Sequence, residues 1–113
     1  IPTRPDVSTD YMLPTKLLEY LACGIPALLT PTRTVRYYFG DDHPLYLQDG
    51  EPGELAARIT WCREHYAEAK TLAAGMQESW FGRYHWPDHS QSYLRLIATL
   101  ADAGQEPRSA TTA

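Results

Sequence analysis

Thr15, Lys16 and Glu19 are the residues whose types and spacing point most directly to chemistry. They lie in LPTKLLEYLACGIPALLT, residues 13–30. At about 100° per residue they gather on a narrow polar stripe, while Leu13, Leu17, Tyr20 and Leu21 fall on the other side of the same helix. A helix start offers unpaired N–H groups and a partial positive charge of roughly half a unit, which suits a phosphate. A carboxylate one turn further along can accept hydrogen bonds from sugar hydroxyls. The amides of Thr15, Lys16, Leu17 and Leu18, with Glu19 beside them, would together describe a bound nucleotide, with phosphate at the tip and a diol at the carboxylate. The plainer role for Lys16 is a surface ion pair with Glu19, three residues on, worth roughly a few tenths of a kcal/mol, and the spacing slightly favours it.

The elements that must hold this stripe are punctuated clearly. Pro14 suits a first helical turn and Gly24 suits the residue just past the last one. Residues 26–30 then form a short apolar run between prolines, which reads as a strand covered on both faces, and Leu45 to Gln48 is a second strand candidate. A helix feeding a strand is half of a β-α-β unit, so the expectation is an α/β fold, helix-rich, with few parallel strands and the rest of the sheet upstream of this chain. Ile1 reads as the end of a strand already under way. Residues 1–10 form a polar loop from which Arg4 and Asp6 can reach a ligand, and Asp10 stands where it can assist the central helix.

Between the two strand candidates, Thr32 or Thr34 caps a helical turn that Gly40 ends. Tyr37, Tyr38 and Phe39 read as packing. Arg33 and Arg36 lie near the carboxyl end of the first strand, where open α/β sheets bind ligands, although a surface role is the commoner fate of an arginine. His43 beside Asp41 and Asp42 is weak evidence for a metal. Helices follow over 53–65 and to about Tyr84. Their stripes, Leu55, Ile59, Cys62 and Tyr66, then Leu72, Ala73, Met76 and Trp80, read as core. His85 and His89 are four apart, but the intervening Pro87 argues against a shared helical turn and against metal ligation. A residue among Asp88 to Ser90 caps a last helix to about Asp102 that carries Tyr93, Ile97 and Leu100 inward. Residues 104–113 read as a disordered tail, which leaves 1–103 as one domain.

With 10 Lys and Arg against 14 Asp and Glu, the net charge is −4, so no general positive field attracts nucleic acid or anionic lipid. No apolar run approaches the ~20 residues of a membrane span. Cys23 and Cys62 read as reduced, buried thiols in a cytoplasmic protein.

The run PTKLLEYLACGIPALLTP resembles the donor-nucleotide segment of GT-B glycosyltransferases, closest to the retaining family 4. The resemblance implies a partial Rossmann-like carboxyl-terminal half, 1–103, of a donor-binding domain. It gives Glu19 the ribose hydroxyls and the amides of Thr15, Lys16, Leu17 and Leu18 the phosphates, with Tyr11, Arg4 and Arg36 as further candidates and no catalytic residue assigned. The family's second glutamate, eight positions before Glu19, is here Tyr11, as in a branch reading P-x-K-x-x-E-Y. The implied activity is transfer of a hexose from a nucleotide-diphosphate sugar with retention, with no cofactor and no metal. The implied partner is an amino-terminal acceptor-binding domain outside this chain, without which the chain alone is inactive. The implied location is cytoplasmic, with the missing domain able to hold the enzyme at the inner membrane surface. The alternative is a non-catalytic nucleotide-binding or protein-interaction module.

Overall fold

The first helix determines where the chain turns and what it buries. In the computed structural model, which describes residues 1–105, α1 spans Thr15–Ala22, with Pro14 just outside it as an extended N-cap residue. Leu17 and Leu21, one turn apart, are fully buried. The helix ends at Gly24, whose φ of +67° is a conformation L side chains rarely adopt. There the Ile25 amide donates to the Tyr20 carbonyl at 2.8 Å and the Gly24 amide to Leu21 at 3.0 Å. This pair of bonds closes the last turn and sends the chain back across the buried face of α1.

The returning segment is extended, with Ala27 and Leu29 buried. Leu29 donates to the Leu45 carbonyl at 3.2 Å and accepts from the Leu47 amide at 2.9 Å, forming an isolated parallel bridge with Tyr46. On its other side the Thr30 amide donates to the Ile1 carbonyl at 3.3 Å. The described residues contain no strand and no sheet beyond this bridge, so the expected Rossmann-like α/β class is overturned and the class is helical. Proline has no N–H to donate, and Pro26, Pro31 and Pro44 bracket the two extended segments, leaving too few residues for a ladder.

Helix α2, Arg33–Phe39, starts under the buried Thr32, whose hydroxyl accepts from the Val35 amide, and ends at Gly40. Helix α3 is Pro52–Glu64, α4 is Tyr66–Arg83 and α5 is Trp86–Gly104. The chain divides into two compact units, Ile1–Phe81 and a second beginning at Gly82. In the first, Ala69, Ala73 and Met76 of α4 are buried at helical spacing, and Met76 joins Leu17, Leu21, Leu29, Val35 and Leu45 in one core. The reading of α3 fares worse. Leu55 and Cys62 are half-buried, but Ile59 is more than half exposed, because these three line an open apolar groove with Tyr20 and Leu28 instead of closing on a partner; Tyr66, which falls at the start of α4, is more than half exposed as well.

In the second unit, Trp86 and Tyr93 of α5 stack edge to face at 5.4 Å. Tyr93, Ile97 and Leu100, expected to point inward, are exposed. Helix α5 begins at Trp86 with His85 as N-cap, earlier than the expected cap at Asp88 to Ser90, since Pro87 fits the first turn instead of interrupting it. The helix runs on through Gly104, and the rest of the expected tail, 106–113, lies outside the described residues. No helix among the described residues is long and apolar enough to cross a membrane.

Leu21→Ala should test this arrangement. Removing a fully buried leucine from the α1 face should cost about 2–5 kcal/mol, read from urea denaturation of the full chain, whereas a loss below ~1 kcal/mol would mean that α1 is not held by this contact.

Candidate functional site

Helix α1 presents its predicted polar stripe to solvent. Thr15, Lys16 and Glu19 are exposed, Leu18 is half-buried, and Leu17 is wholly buried, so Leu17 can offer a ligand only its backbone. Even that amide is taken, since it donates to the Pro14 carbonyl at 3.1 Å. No side chain caps the helix start, which leaves the Thr15 and Lys16 amides as the donors facing outward. Among the described residues the Glu19 carboxylate takes part in no hydrogen bond or ion pair, and the anticipated pair with Lys16 is not formed. Solvent screening and side-chain entropy account for that, because an exposed pair gains little.

The other candidates gather around α2. Asp10 does not assist α1. Its carboxylate accepts from the Arg33 amide at 3.3 Å and its carbonyl from the Thr34 hydroxyl at 2.8 Å, so it caps α2 from a 3-10 turn over Thr9–Tyr11. Tyr11, the residue in place of the family's second glutamate, accepts at its hydroxyl from Arg33 Nη1 at 2.7 Å, and the guanidinium carbon lies 5.7 Å from the ring centroid. Tyr11 thus positions an arginine. Arg36 opens with Arg33 onto a groove of about 630 Å3 at the carboxyl end of the parallel bridge, alongside Asp10, Thr30, Tyr37 and Asp49. Arg4 is exposed and borders a neighbouring hollow of about 400 Å3. The two places are distinct, for Thr15, Lys16 and Glu19 do not line the groove.

Tyr37 escaped the reading as a wall of this groove. Its spacing held the signal, since Arg33, Arg36 and Tyr37 share one face of α2 at i, i+3 and i+4, opposite the buried Val35. Asp41 joins the groove from just past the end of α2, and Asp49 from the far side of the parallel bridge, which no helical spacing could have revealed.

His43 Nδ1 accepts from the Leu45 amide at 3.1 Å, and burial pulls its pKa down against the opposing effect of Asp42. His85 lies 3.5 Å from Asp88, while His89 Nε2 is 2.8 Å from the Arg83 carbonyl. The described residues hold no cluster able to ligate a metal. Cys62 is half-buried, and burial raises its pKa, whereas Cys23 is exposed at the end of α1, not buried as expected.

Glu54 braces the loop of Gln48, Asp49 and Gly50 that borders the groove. From the first turn of α3 its carboxylate accepts from the amides of Gln48, of Asp49 at 2.7 Å and of Gly50 at 3.1 Å. The Asp49 side chain, then the Asp49 and Gln48 amides, hold the Glu54 carboxyl down at about 2, against an ordinary 4.5.

Helix α1 thus presents an exposed carboxylate near its outward amides, and the separate groove is lined by arginine, aspartate and tyrosine residues. The chain belongs to the glycosyl transferase-like family, whose model matches residues 2–95. This makes it a glycosyltransferase-type domain. No curated protein and no solved structure matches it.

Two outcomes are expected. Because the folded-state pKa of Glu54 is depressed, its stabilising effect is present above about 4.5 and lost as pH falls toward about 2. Glu54→Gln should therefore lower the denaturation midpoint at neutral pH, and the gap to the parent should close across that window. A gap independent of pH would show that charge is not involved. Asp10→Ala should cost about 0.5–2 kcal/mol through the lost cap on α2, measured by urea unfolding.

Proposed function

We propose that this chain is the donor-binding, carboxyl-terminal part of a retaining glycosyltransferase of the GT-B group, to which it contributes helices and a single parallel bridge. One observation carries the reading. Glu19 stands exposed, without a side-chain bond partner among the described residues, on a helix that buries Leu17 and Leu21 on its opposite face and whose start no described side chain caps. Membership of the glycosyl transferase-like family supports it. Glu19 would accept hydrogen bonds from the ribose hydroxyls of a nucleotide-diphosphate sugar.

The chemical demand in such a transfer is to stabilise charge developing on the departing diphosphate. The Thr15 and Lys16 amides, aligned with the dipole of α1, and the Lys16 ammonium meet part of that demand. Lys16 carries no partner that would compete for it among the described residues. The acceptor-binding domain belongs to the longer enzyme, so turnover is not expected from these residues alone, and no metal or cofactor enters the reading.

Titrating the full chain with UDP, GDP and ADP by calorimetry tests the proposal. Glu19→Ala should weaken the preferred nucleotide by more than tenfold, from roughly 1.5–3 kcal/mol of lost charge-assisted hydrogen bonding. If the parent binds all three no better than the variant does, α1 is only a packed helix.

A further inference from the structure

Residues 40–46, which join α2 to the second extended segment, are tied by hydrogen bonds of which one depends on a proton. The Tyr46 amide donates to the His43 carbonyl at 2.9 Å, and the Tyr46 hydroxyl donates to the Gly40 carbonyl at 2.8 Å. Neither bond changes near neutral pH. The Leu45 amide, however, donates to His43 Nδ1 at 3.1 Å. An amide nitrogen can only donate, so Nδ1 is the bare, accepting nitrogen of a neutral ring, with the ring proton on Nε2. Leu45 is fully buried, so solvent cannot replace that lone pair once it is lost.

Leu45 also couples the turn to the core. Its carbonyl accepts from the Leu29 amide at 3.2 Å, and the Leu47 amide donates to the Leu29 carbonyl at 2.9 Å, the bonds of the parallel bridge. Proton uptake at Nδ1 would set one N–H against another and leave a buried donor unpaired on the residue that holds the bridge.

The half-buried His43 ring lies 5.6 Å from the Tyr46 ring, in a hollow of about 490 Å3 shared with Asp42, Asp49, Glu54 and Arg58. Carboxylates favour an imidazolium there and the Arg58 guanidinium opposes it. Burial outweighs Asp42 and holds the ring below its ordinary 6.5. Arg36 and Asp41 act on Tyr46, the residue behind the ring, which is pushed up to about 12, and Glu54 is held at about 2, so both keep one charge state near neutrality. Of the residue types lining the hollow, imidazole alone ordinarily changes charge between about pH 5 and 8.

We propose that His43 is a proton-operated latch: neutral, it closes the turn onto Leu45, and protonated, it frees the turn and loosens the bridge to Leu29. The same turn carries Asp41 to the groove beside α2 and Asp42 to the second hollow, so acid shifts one wall of each. The latch does not depend on whether α1 binds a nucleotide. Because the folded-state value is depressed, the latch is fully closed above about 6.5 and is lost as pH falls through the lower folded value.

The test is a pH titration of the isotope-labelled full chain from about 7.5 to about 5, following the His43 ring nitrogens and the amides of Leu29, Leu45, Tyr46 and Leu47 by magnetic resonance. The ring should carry its proton on Nε2 when neutral, and the four amides should move with the ring at one midpoint below 6.5. An asparagine side-chain oxygen can accept from the amide two residues on but does not titrate. His43→Asn should therefore keep the turn and abolish that midpoint, and at about pH 5 its Leu45 amide should exchange with solvent roughly tenfold more slowly than the parent's, the scale of one buried unpaired donor. His43→Ala, lacking an acceptor, should exchange fast at both ends of the range. The proposal is overturned if the neutral ring carries its proton on Nδ1, if the bridge amides do not follow the ring, or if His43→Asn retains the parent's pH dependence.

Discussion

Burial of Leu17 and Leu21 is the constraint on which the rest depends. Each is fully removed from water, and together they bind α1 to the extended segment that returns beneath it through Gly24. Fully burying a leucine is worth about 1.5–3 kcal/mol against leaving it exposed, so the pair fixes the rotation of a helix only eight residues long, which would not persist alone in water. Once that rotation is set, Thr15, Lys16 and Glu19 have nowhere to point but solvent. The isolated carboxylate is a consequence of packing behind it.

The same core positions the groove. Leu29 and Leu45 belong to it, and the bridge between their segments brings Thr30 and Gln48 to one edge. Val35 anchors α2 from below, while Asp10 and Thr32 satisfy its first amides. Arg33, Arg36 and Tyr37 are left on the outer face. Glu54 then holds the loop at Gln48, Asp49 and Gly50 by accepting from its amides. The protein thus presents two polar surfaces supported by a single apolar cluster, one a helix flank and the other a hollow.

Much of α1 was legible because its signals are local. Pro14, Gly24 and the 3.6-residue repeat of leucines mark its ends and its buried side, and the exposed stripe follows directly. The limits of α2, with Thr32 before it and Gly40 after it, were legible for the same reason. The sheet was misread because an apolar run between prolines looks the same whether it enters a ladder or a single bridge. The stripe of α3 announced an apolar face truly, but periodicity does not say whether a partner closes over it, and Ile59 remains exposed. The groove was partly hidden, since it assembles residues from Thr3 to Gly50 through contacts that depend on the fold. Asp10 was read toward the nearest helix in sequence, whereas its bonds run to a helix more than twenty residues on.

The central claim is that α1, and not the arginine-lined groove, is the nucleotide surface of this glycosyltransferase-type domain. Amide chemical-shift mapping of the full chain with UDP, GDP and ADP tests it most directly. The account predicts that the perturbed amides cluster at Thr15, Lys16 and around Glu19, with Arg33 to Tyr37 unmoved. Perturbations confined to Arg33, Arg36 and Gly50 would contradict it and move the nucleotide to the groove.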